Sequence, residues 1–103
     1  MERIALKVQR RRYAREAVDE IAVYQRLRES GEICPEIIRL REAFIYDGHI
    51  CLAFDRHGNS LWEALARGAI PPPRVRRGAR QTLTALDCLH LAGYTHTDIK
   101  PDN

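Results

Sequence analysis

The last eight residues of the chain hold its densest set of chemically capable side chains, in the order His-Thr-Asp-Ile-Lys-Pro-Asp-Asn. The Asp98 carboxylate can orient an attacking hydroxyl group and accept its proton, and the Lys100 ammonium can neutralise a transferring phosphoryl group. The amide oxygen of Asn103 can bind a hard cation. The alternative is a polar turn that holds these residues by accident. Eight ordered positions disfavour it, so the segment predicts phosphoryl transfer.

Lysine is rare in this chain, which makes its two occurrences informative. Of the 17 basic residues, only Lys7 and Lys100 are lysines and the others are arginines. Lysine is a compact point charge, whereas arginine is a planar fork. Lys7 interrupts an apolar segment, and Glu20 lies on the apolar face of a predicted helix. Because an unpaired charge on an apolar face is costly, we expect Lys7 and Glu20 to pair. The alternative is a Glu20 side chain turned to solvent at the edge of that face.

The first half of the chain predicts a strand, a helix and a β-hairpin. Residues 4–8 form a short apolar segment typical of a strand. Apolar residues recur at helical spacing over about residues 12–29, at Ala17, Ile21, Tyr24 and Leu27, and Gly31 and Pro35 end this helix. Two segments of alternating hydrophobicity then flank Asp47 and Gly48. This dipeptide favours a type I′ turn, so the two segments are predicted to form a hairpin.

The second half predicts two helices and a polar loop. Residues 55–59 are typical of an open linker, and Ser60 with Glu63 fits a capping box that begins a helix through about Arg67. Three prolines at 71–73 precede a longer helix over about residues 73–91, which Gly93 ends. Its apolar stripe consists of Val75, Ala79, Leu83, Leu86 and Leu89. Residues 94–103 are predicted to form a loop.

Length and composition describe one small globular domain. The chain has 103 residues, of which 45% are hydrophobic and 30% are charged. No apolar run is long enough to span a bilayer and the first residues lack a signal-peptide pattern, so we expect no membrane association and a cytoplasmic or nuclear location. Three widely spaced cysteines suit a reducing compartment. With four histidines nearby a zinc site is conceivable, but no metal-ligand spacing is present.

The net charge of +3 reflects two arginine clusters, one at residues 10, 11, 12 and 15 and one at residues 74, 76, 77 and 80. Such clusters can bind nucleic acid. Both fall on predicted helices whose other face is apolar, which is typical of solvated helix faces. An arginine-rich RNA-binding module would also need a stacking aromatic motif, which is absent from the sequence. Nucleic acid is therefore not an expected partner.

The order of the final eight residues resembles the catalytic loop of protein kinases, which usually reads H-R-D-L-K-P-E-N. Threonine in place of the usual arginine, at Thr97, is similar to the SR-protein kinases and the LAMMER (CDC-like) kinases of the CMGC group. Earlier segments agree with this resemblance. Residues 5–7 resemble the strand that carries the ATP-contacting lysine, residues 19–21 resemble helix αC with its glutamate, and residues 48–54 resemble the strand that leads into the hinge.

The resemblance implies a role for each matching residue, with ATP and Mg²⁺ as cofactors and a protein as substrate. Lys7 would contact the α- and β-phosphates, with Glu20 as its ion-pair partner. Phe54 would be the gatekeeper beside the adenine, and residues from Asp55 to His57 would form the hinge that reads adenine through its backbone. In the second half, the catalytic residues would be Asp98 and Lys100, and the metal ligand would be Asn103.

The resemblance also implies an α+β fold that forms part of a protein kinase. Residues 1–55 would be a partial N-lobe, residues 56–60 the hinge or linker, and residues 61–103 the start of the C-lobe. Only six residues precede Lys7 and none follows Asn103 in this sequence. The glycine-rich loop, the D-F-G aspartate and the activation loop lie outside it. We therefore expect the 103 residues alone to be inactive.

Three functions are compatible with all or part of this pattern. A protein serine/threonine kinase is favoured because a lysine follows the catalytic aspartate by two positions. A kinase remnant without catalytic activity, or an interaction module, would retain the same residues. A small-molecule phosphotransferase of the aminoglycoside-kinase type shares the H-x-D-x-x-x-x-N spacing. Those enzymes typically have glycine after the histidine and no Lys-Pro pair, so Thr97, Lys100 and Pro101 argue against that class.

Overall fold

The computed structural model describes residues 2–31 and 34–103, which form one antiparallel sheet and three α-helices. The strands are β1 (Ile4–Val8), β2 (Leu40–Tyr46) and β3 (His49–Asp55), in the order β1-β3-β2. The helices are α1 (Ala14–Glu29), α2 (Leu61–Ala66) and α3 (Pro72–Leu91). The predicted α+β class and the element order are confirmed.

Helix α1 begins two residues later than its apolar pattern predicted. The residues before it, Arg11–Tyr13, form a 3₁₀ turn in which the Tyr13 N–H donates to the Arg10 carbonyl at 2.9 Å. No side chain caps the N-terminus of α1. The 3₁₀ turn satisfies the N–H groups of Tyr13 and Ala14, the latter through the Arg11 carbonyl, and the α-helix begins after it.

The β2–β3 hairpin has the turn that its sequence predicted. Asp47 and Gly48 both have positive φ, at 49° and 74°. A type I′ turn requires positive φ at both central residues, and its twist matches that of the flanking strands. The turn sets a register in which Tyr46 lies opposite His49 and Phe44 lies opposite Cys51. The register shifts between Leu40 and Glu42, which marks a β-bulge near the start of β2.

The hydrophobic core of the first half lies between the sheet and α1. Alternate residues of β3 share one face of the sheet, so Leu52 and Phe54 point to the same side and are joined there by Leu40. Ile21 and Tyr24 of α1 pack against this cluster, and Ala17 is fully buried. The apolar stripe predicted for this helix therefore does face the core. It brings Glu20, which precedes Ile21, to the sheet side of the helix.

The second half contains α2, α3 and the terminal loop. The predicted cap is present, because the Ser60 Oγ accepts a hydrogen bond from the Glu63 N–H at 3.2 Å. α3 begins at Pro72, one residue before the predicted start, with proline in the first helical turn, where no N–H is needed. Gly93, at φ 91°, follows the end of α3. The stripe predicted along α3 is largely exposed, most clearly at Val75 and Leu83.

The chain forms two compact units, Met1–His57 and Gly58–Asn103. The division into a partial N-lobe, a hinge and the start of a C-lobe stays a prediction. Across residues 2–31 and 34–103, no helix combines the length and the apolar character that crossing a bilayer requires.

Candidate active site

Lys7 and Glu20 form an ion pair in the first unit. β1 is antiparallel to β3 with Lys7 opposite Leu52, and α1 packs over the sheet with Glu20 in its second turn. The Lys7 Nζ donates to the Glu20 Oε2 at 2.9 Å, with the two side chains 50% and 32% exposed. The predicted pairing is confirmed. A pair this exposed contributes about 0.2–1 kcal/mol to stability, so its main effect is to orient the ammonium group.

Phe54, Asp55 and His57 follow one another at the end of β3. Phe54 is 8% exposed and its ring meets Tyr24 edge to face, with centroids 5.6 Å apart. Its side chain therefore belongs to the core. The Arg56 N–H donates to the Arg3 carbonyl at 3.2 Å. Within the described residues the His57 backbone makes no hydrogen bond, so its polar groups are open to a ligand such as a nucleotide base.

Arg41 of β2 and Arg39, just before the strand, bind the Asp55 carboxylate, a contact that sequence reasoning missed. The Arg39 Nε donates to Oδ2 at 3.2 Å, and the Arg41 Nη1 lies 3.4 Å from Oδ1. Hydrogen bonding from Arg39 holds the pKa of Asp55 below its usual value, with a smaller opposing effect of burial. The Asp55 carboxylate is thus bound by side chains of the protein itself. A contact of this residue with adenine would therefore have to use its backbone.

Asp98 and Asn103 are joined within the terminal loop of the second unit. The Asn103 Nδ2 donates to the Asp98 carbonyl at 2.9 Å and to its Oδ2 at 3.0 Å. The Lys100 Nζ lies 3.6 Å from the same carboxylate oxygen. The structure therefore brings together the three loop residues that the sequence indicated. Both hydrogen bonds use the amide nitrogen of Asn103, so its oxygen remains available to a cation.

The loop backbone around Asp98 has an unusual conformation. Thr97 has φ of 72°, in the left-handed region that β-branched residues rarely adopt, at a cost of order 1–3 kcal/mol. The Asp98 N–H donates to the His96 Nδ1 at 3.1 Å. His96 therefore holds the backbone of Asp98. No sequence signal indicated the strained Thr97.

Helix α2 anchors the same loop. The Trp62 N–H, in the first turn of α2, donates to the Pro101 carbonyl at 2.8 Å. The first N–H groups of a helix have no partner within the helix, so they can bind a carbonyl from another segment. The side chains of Asp98, Lys100 and Asn103 therefore project from a loop that is tied to a capped helix.

The available donors and acceptors fit a nucleotide and a magnesium ion. An ammonium group has three N–H donors, so Lys7 retains two after binding Glu20, and it is half exposed. Asn103 and Asp98 offer amide and carboxylate oxygens, which Mg²⁺ prefers, and Mg²⁺ usually completes its shell with phosphates and water. Among the residues that the structure describes, no cluster of three or more His, Cys, Asp or Glu side chains could hold a metal by itself.

Comparison with known proteins shows the class that this sheet, helix and loop define. A profile of the protein kinase domain matches residues 1–103. The chain belongs to the protein kinase domain family. The resemblance drawn from the catalytic-loop residues is thereby confirmed.

Relatives in three organisms match nearly the whole chain. It is 33% identical over 97% of its length to the probable serine/threonine-protein kinase clkA of Dictyostelium discoideum. It is 37% identical over 98% to protein kinase dsk1 of Schizosaccharomyces pombe, and 35% identical over 97% to serine/threonine-protein kinase AFC1 of Arabidopsis thaliana. The matched regions make up 12%, 21% and 22% of these relatives, so the chain spans less than a quarter of each.

Proposed function

We propose that the chain is part of an ATP-dependent protein serine/threonine kinase, which transfers a phosphoryl group from ATP to a protein hydroxyl group. The observation that carries the proposal is the loop in which Asn103 donates to Asp98 while Lys100 lies 3.6 Å from the same carboxylate. Relatives named as serine/threonine kinases support the class of acceptor.

Each loop residue has a role that its contacts support. Asp98 is the residue that orients the acceptor hydroxyl and takes its proton, and Asn103 and His96 hold it in place through its side chain and backbone. Lys100 supplies positive charge near the transferring group. The amide oxygen of Asn103 would hold Mg²⁺, which would supply positive charge to neutralise the phosphates.

In the first unit, Lys7 binds the nucleotide phosphates, and Glu20 orients its ammonium group through the 2.9 Å contact. Phe54 closes the core behind the adenine, and the backbone of residues 55–57 reads the base. We further propose a cytoplasmic or nuclear location. Three widely spaced cysteines in the sequence suit a reducing compartment.

The proposal is tested by phosphotransfer assays on the native protein expressed from its complete reading frame, with Asp98→Asn and Asp102→Asn compared. Both changes remove one carboxylate from the same exposed loop. Asp98→Asn should lower kcat about 10²- to 10⁴-fold, because a proton acceptor contributes that much. Asp102, 4.0 Å from Lys100, makes only a weak exposed pair, so Asp102→Asn should retain activity within about fivefold.

Equal effects of the two changes, or ATP binding with no phosphotransfer to any protein, would reject the catalytic role. The second result would favour the remnant without catalytic activity. Transfer to an aminoglycoside but not to protein would favour the small-molecule phosphotransferase.

A further inference from the structure

Two arginines tie α1 to the two ends of β2 through main-chain carbonyls. The Arg11 Nη2, just before α1, donates to the Asp47 carbonyl at 3.1 Å. The Arg28 Nη2, in the last turn of α1, donates to the Leu40 carbonyl at 2.9 Å. Leu40 is the first residue of β2 and Asp47 follows its last. Glu20 lies about midway between the two arginines along the chain.

The first contact depends on the glycine of the hairpin turn. A Cβ atom at Gly48 would lie 2.7 Å from the Arg11 Nη2 and 3.1 Å from its Cζ, so the guanidinium group lies directly against the glycine backbone. The segment before α1 is bound to the same hairpin, because the Gln9 N–H donates to the Ile50 carbonyl at 2.9 Å. Arg11 is thus one of several contacts between the start of α1 and the hairpin.

The second contact satisfies a carbonyl group at the β-bulge. The register shift between Leu40 and Glu42 interrupts the regular β2–β3 ladder. The Leu40 side chain is buried in the core and its carbonyl is partly buried with the Arg28 guanidinium. Because an unsatisfied carbonyl in such a place is costly, the geometry favours the Arg28 contact strongly.

We propose that Arg11 and Arg28 are positioning residues for the Lys7–Glu20 pair. A helix held at both ends against one strand cannot slide along it, and each residue of slide would move Glu20 by about 1.5 Å. A slide of that size would break the 2.9 Å contact with Lys7. The consequence for phosphotransfer rests on the proposed function, whereas the positioning itself can be measured without nucleotide.

Lys7 and Lys100 are the only lysines among the 103 residues, so the labelling of the two can be compared directly. We would label the native protein, expressed from its complete reading frame, briefly with an amine-acylating reagent and measure the ratio of Lys7 to Lys100 labelling by mass spectrometry. An amine held by a carboxylate reacts more slowly than one in solvent. Glu20→Gln defines the ratio for a broken pair, which we expect to be about two- to fivefold above wild type.

Arg11→Gln and Arg28→Gln should each raise the labelling ratio toward the Glu20→Gln value, and Arg11→Lys should restore it, since lysine can still donate to the Asp47 carbonyl. Arg15→Gln is the matched control. It removes the same charge from α1, which Arg11 precedes and which contains Arg28, and the Arg15 side chain makes no hydrogen bond, ion pair or ring contact with a described residue. If Arg11→Gln and Arg28→Gln both give the ratio of Arg15→Gln, the inference is overturned.

Folding is checked by amide hydrogen exchange at Leu52 and Phe54, which a folded core protects. If Arg11→Gln loses this protection, the result for Arg28→Gln alone decides the test, because that change leaves the hairpin turn unaltered. The labelling reaction contains no ATP, so it tests the positioning separately from the proposed function. If the two arginine variants raise the Lys7 to Lys100 ratio but the wild-type protein binds no ATP, the positioning is supported and the proposed function is rejected. If the ratio is unchanged in these variants and the wild-type protein is an active kinase, the positioning is rejected and the proposed function is supported.

Discussion

At the scale of single residues, two contacts orient the groups on which the proposed chemistry depends. The Lys7 ammonium is held by Glu20, and the Asp98 carboxylate is held by Asn103. In each pair the first residue would contact the ligand or substrate, and the second restricts the conformations of the first side chain. Orientation of this kind lowers a barrier because the entropy of placing the group is lost on folding, before the reaction begins.

Lys7 and Glu20 should therefore act as one unit in phosphotransfer. We expect Lys7→Ala and Glu20→Ala each to lower kcat/KM strongly, and the double variant to be little worse than either single variant, since either change removes the oriented ammonium. The measurement is a double-mutant cycle on the native protein, with Asp19→Ala as a neighbouring control on α1. Losses that simply add would show that the two residues act independently.

The burial of Tyr24 leads us to expect that the folded protein loses stability at high pH. Burial in the core beside Phe54, and secondarily the charge of Glu20, raise the pKa of Tyr24 from 10.0 to about 12. A pKa raised on folding contributes stability that is complete below pH 10 and is lost as pH rises to about 12. Denaturant unfolding across this window should show a smaller loss in Tyr24→Phe than in wild type. An equal loss would mean that Tyr24 ionises without opposition from the fold.

At the scale of elements, the candidate loop depends on the short helix α2. The helix is held at its start by the Ser60 cap, and it donates the Trp62 N–H to the Pro101 carbonyl. A six-residue helix has little stability of its own, so the cap and this outside contact are a large part of what maintains it.

Loss of the Ser60 cap should loosen α2 and the loop together. Ser60→Ala should cost about 1 kcal/mol, whereas Ser60→Asp should retain stability because aspartate is an equally good cap. Hydrogen exchange of the Trp62 amide should quicken in Ser60→Ala and not in Ser60→Asp. The same exchange rate in both variants would show that the Pro101 carbonyl alone holds this turn.

At the scale of the whole molecule, both compact units leave apolar side chains open to solvent. Ile4, Leu6 and Val8 of β1 are about half exposed, and Leu83 and Leu91 of α3 are 67% and 68% exposed. Surfaces of this kind favour association with another apolar surface.

The chain should accordingly self-associate as its concentration rises, through the exposed stripe of α3. Leu83→Gln should shift its sedimentation toward the monomer, because it places a polar group in that stripe. Arg77→Gln introduces glutamine at a position of α3 away from Val75 and Leu83, so it should leave the sedimentation unchanged. A wild-type chain that sediments as a monomer at every concentration would contradict the prediction.

Much of the local structure could be predicted from the sequence because its causes are local. The bounds of β1 follow from its composition, the hairpin turn from Asp47 and Gly48, and the α2 cap from Ser60 and Glu63. The Lys7–Glu20 pair was also predictable, although the residues are far apart along the chain, because each charge lay on an apolar face and needed a partner. The loop around Asp98 was recognisable from residue types in a fixed order.

Only the tertiary structure shows which main-chain groups are available for hydrogen bonding and which side chains bind them. Arg11 and Arg28 looked like other arginines of a charged helix, since the Asp47 and Leu40 carbonyls that they bind are set by a turn and a bulge. The binding of Asp55 by Arg39 and Arg41, and the positive φ of Thr97, depend in the same way on how the folded backbone runs. Every residue has a carbonyl and a φ angle, so residue types do not show which of them the fold will use.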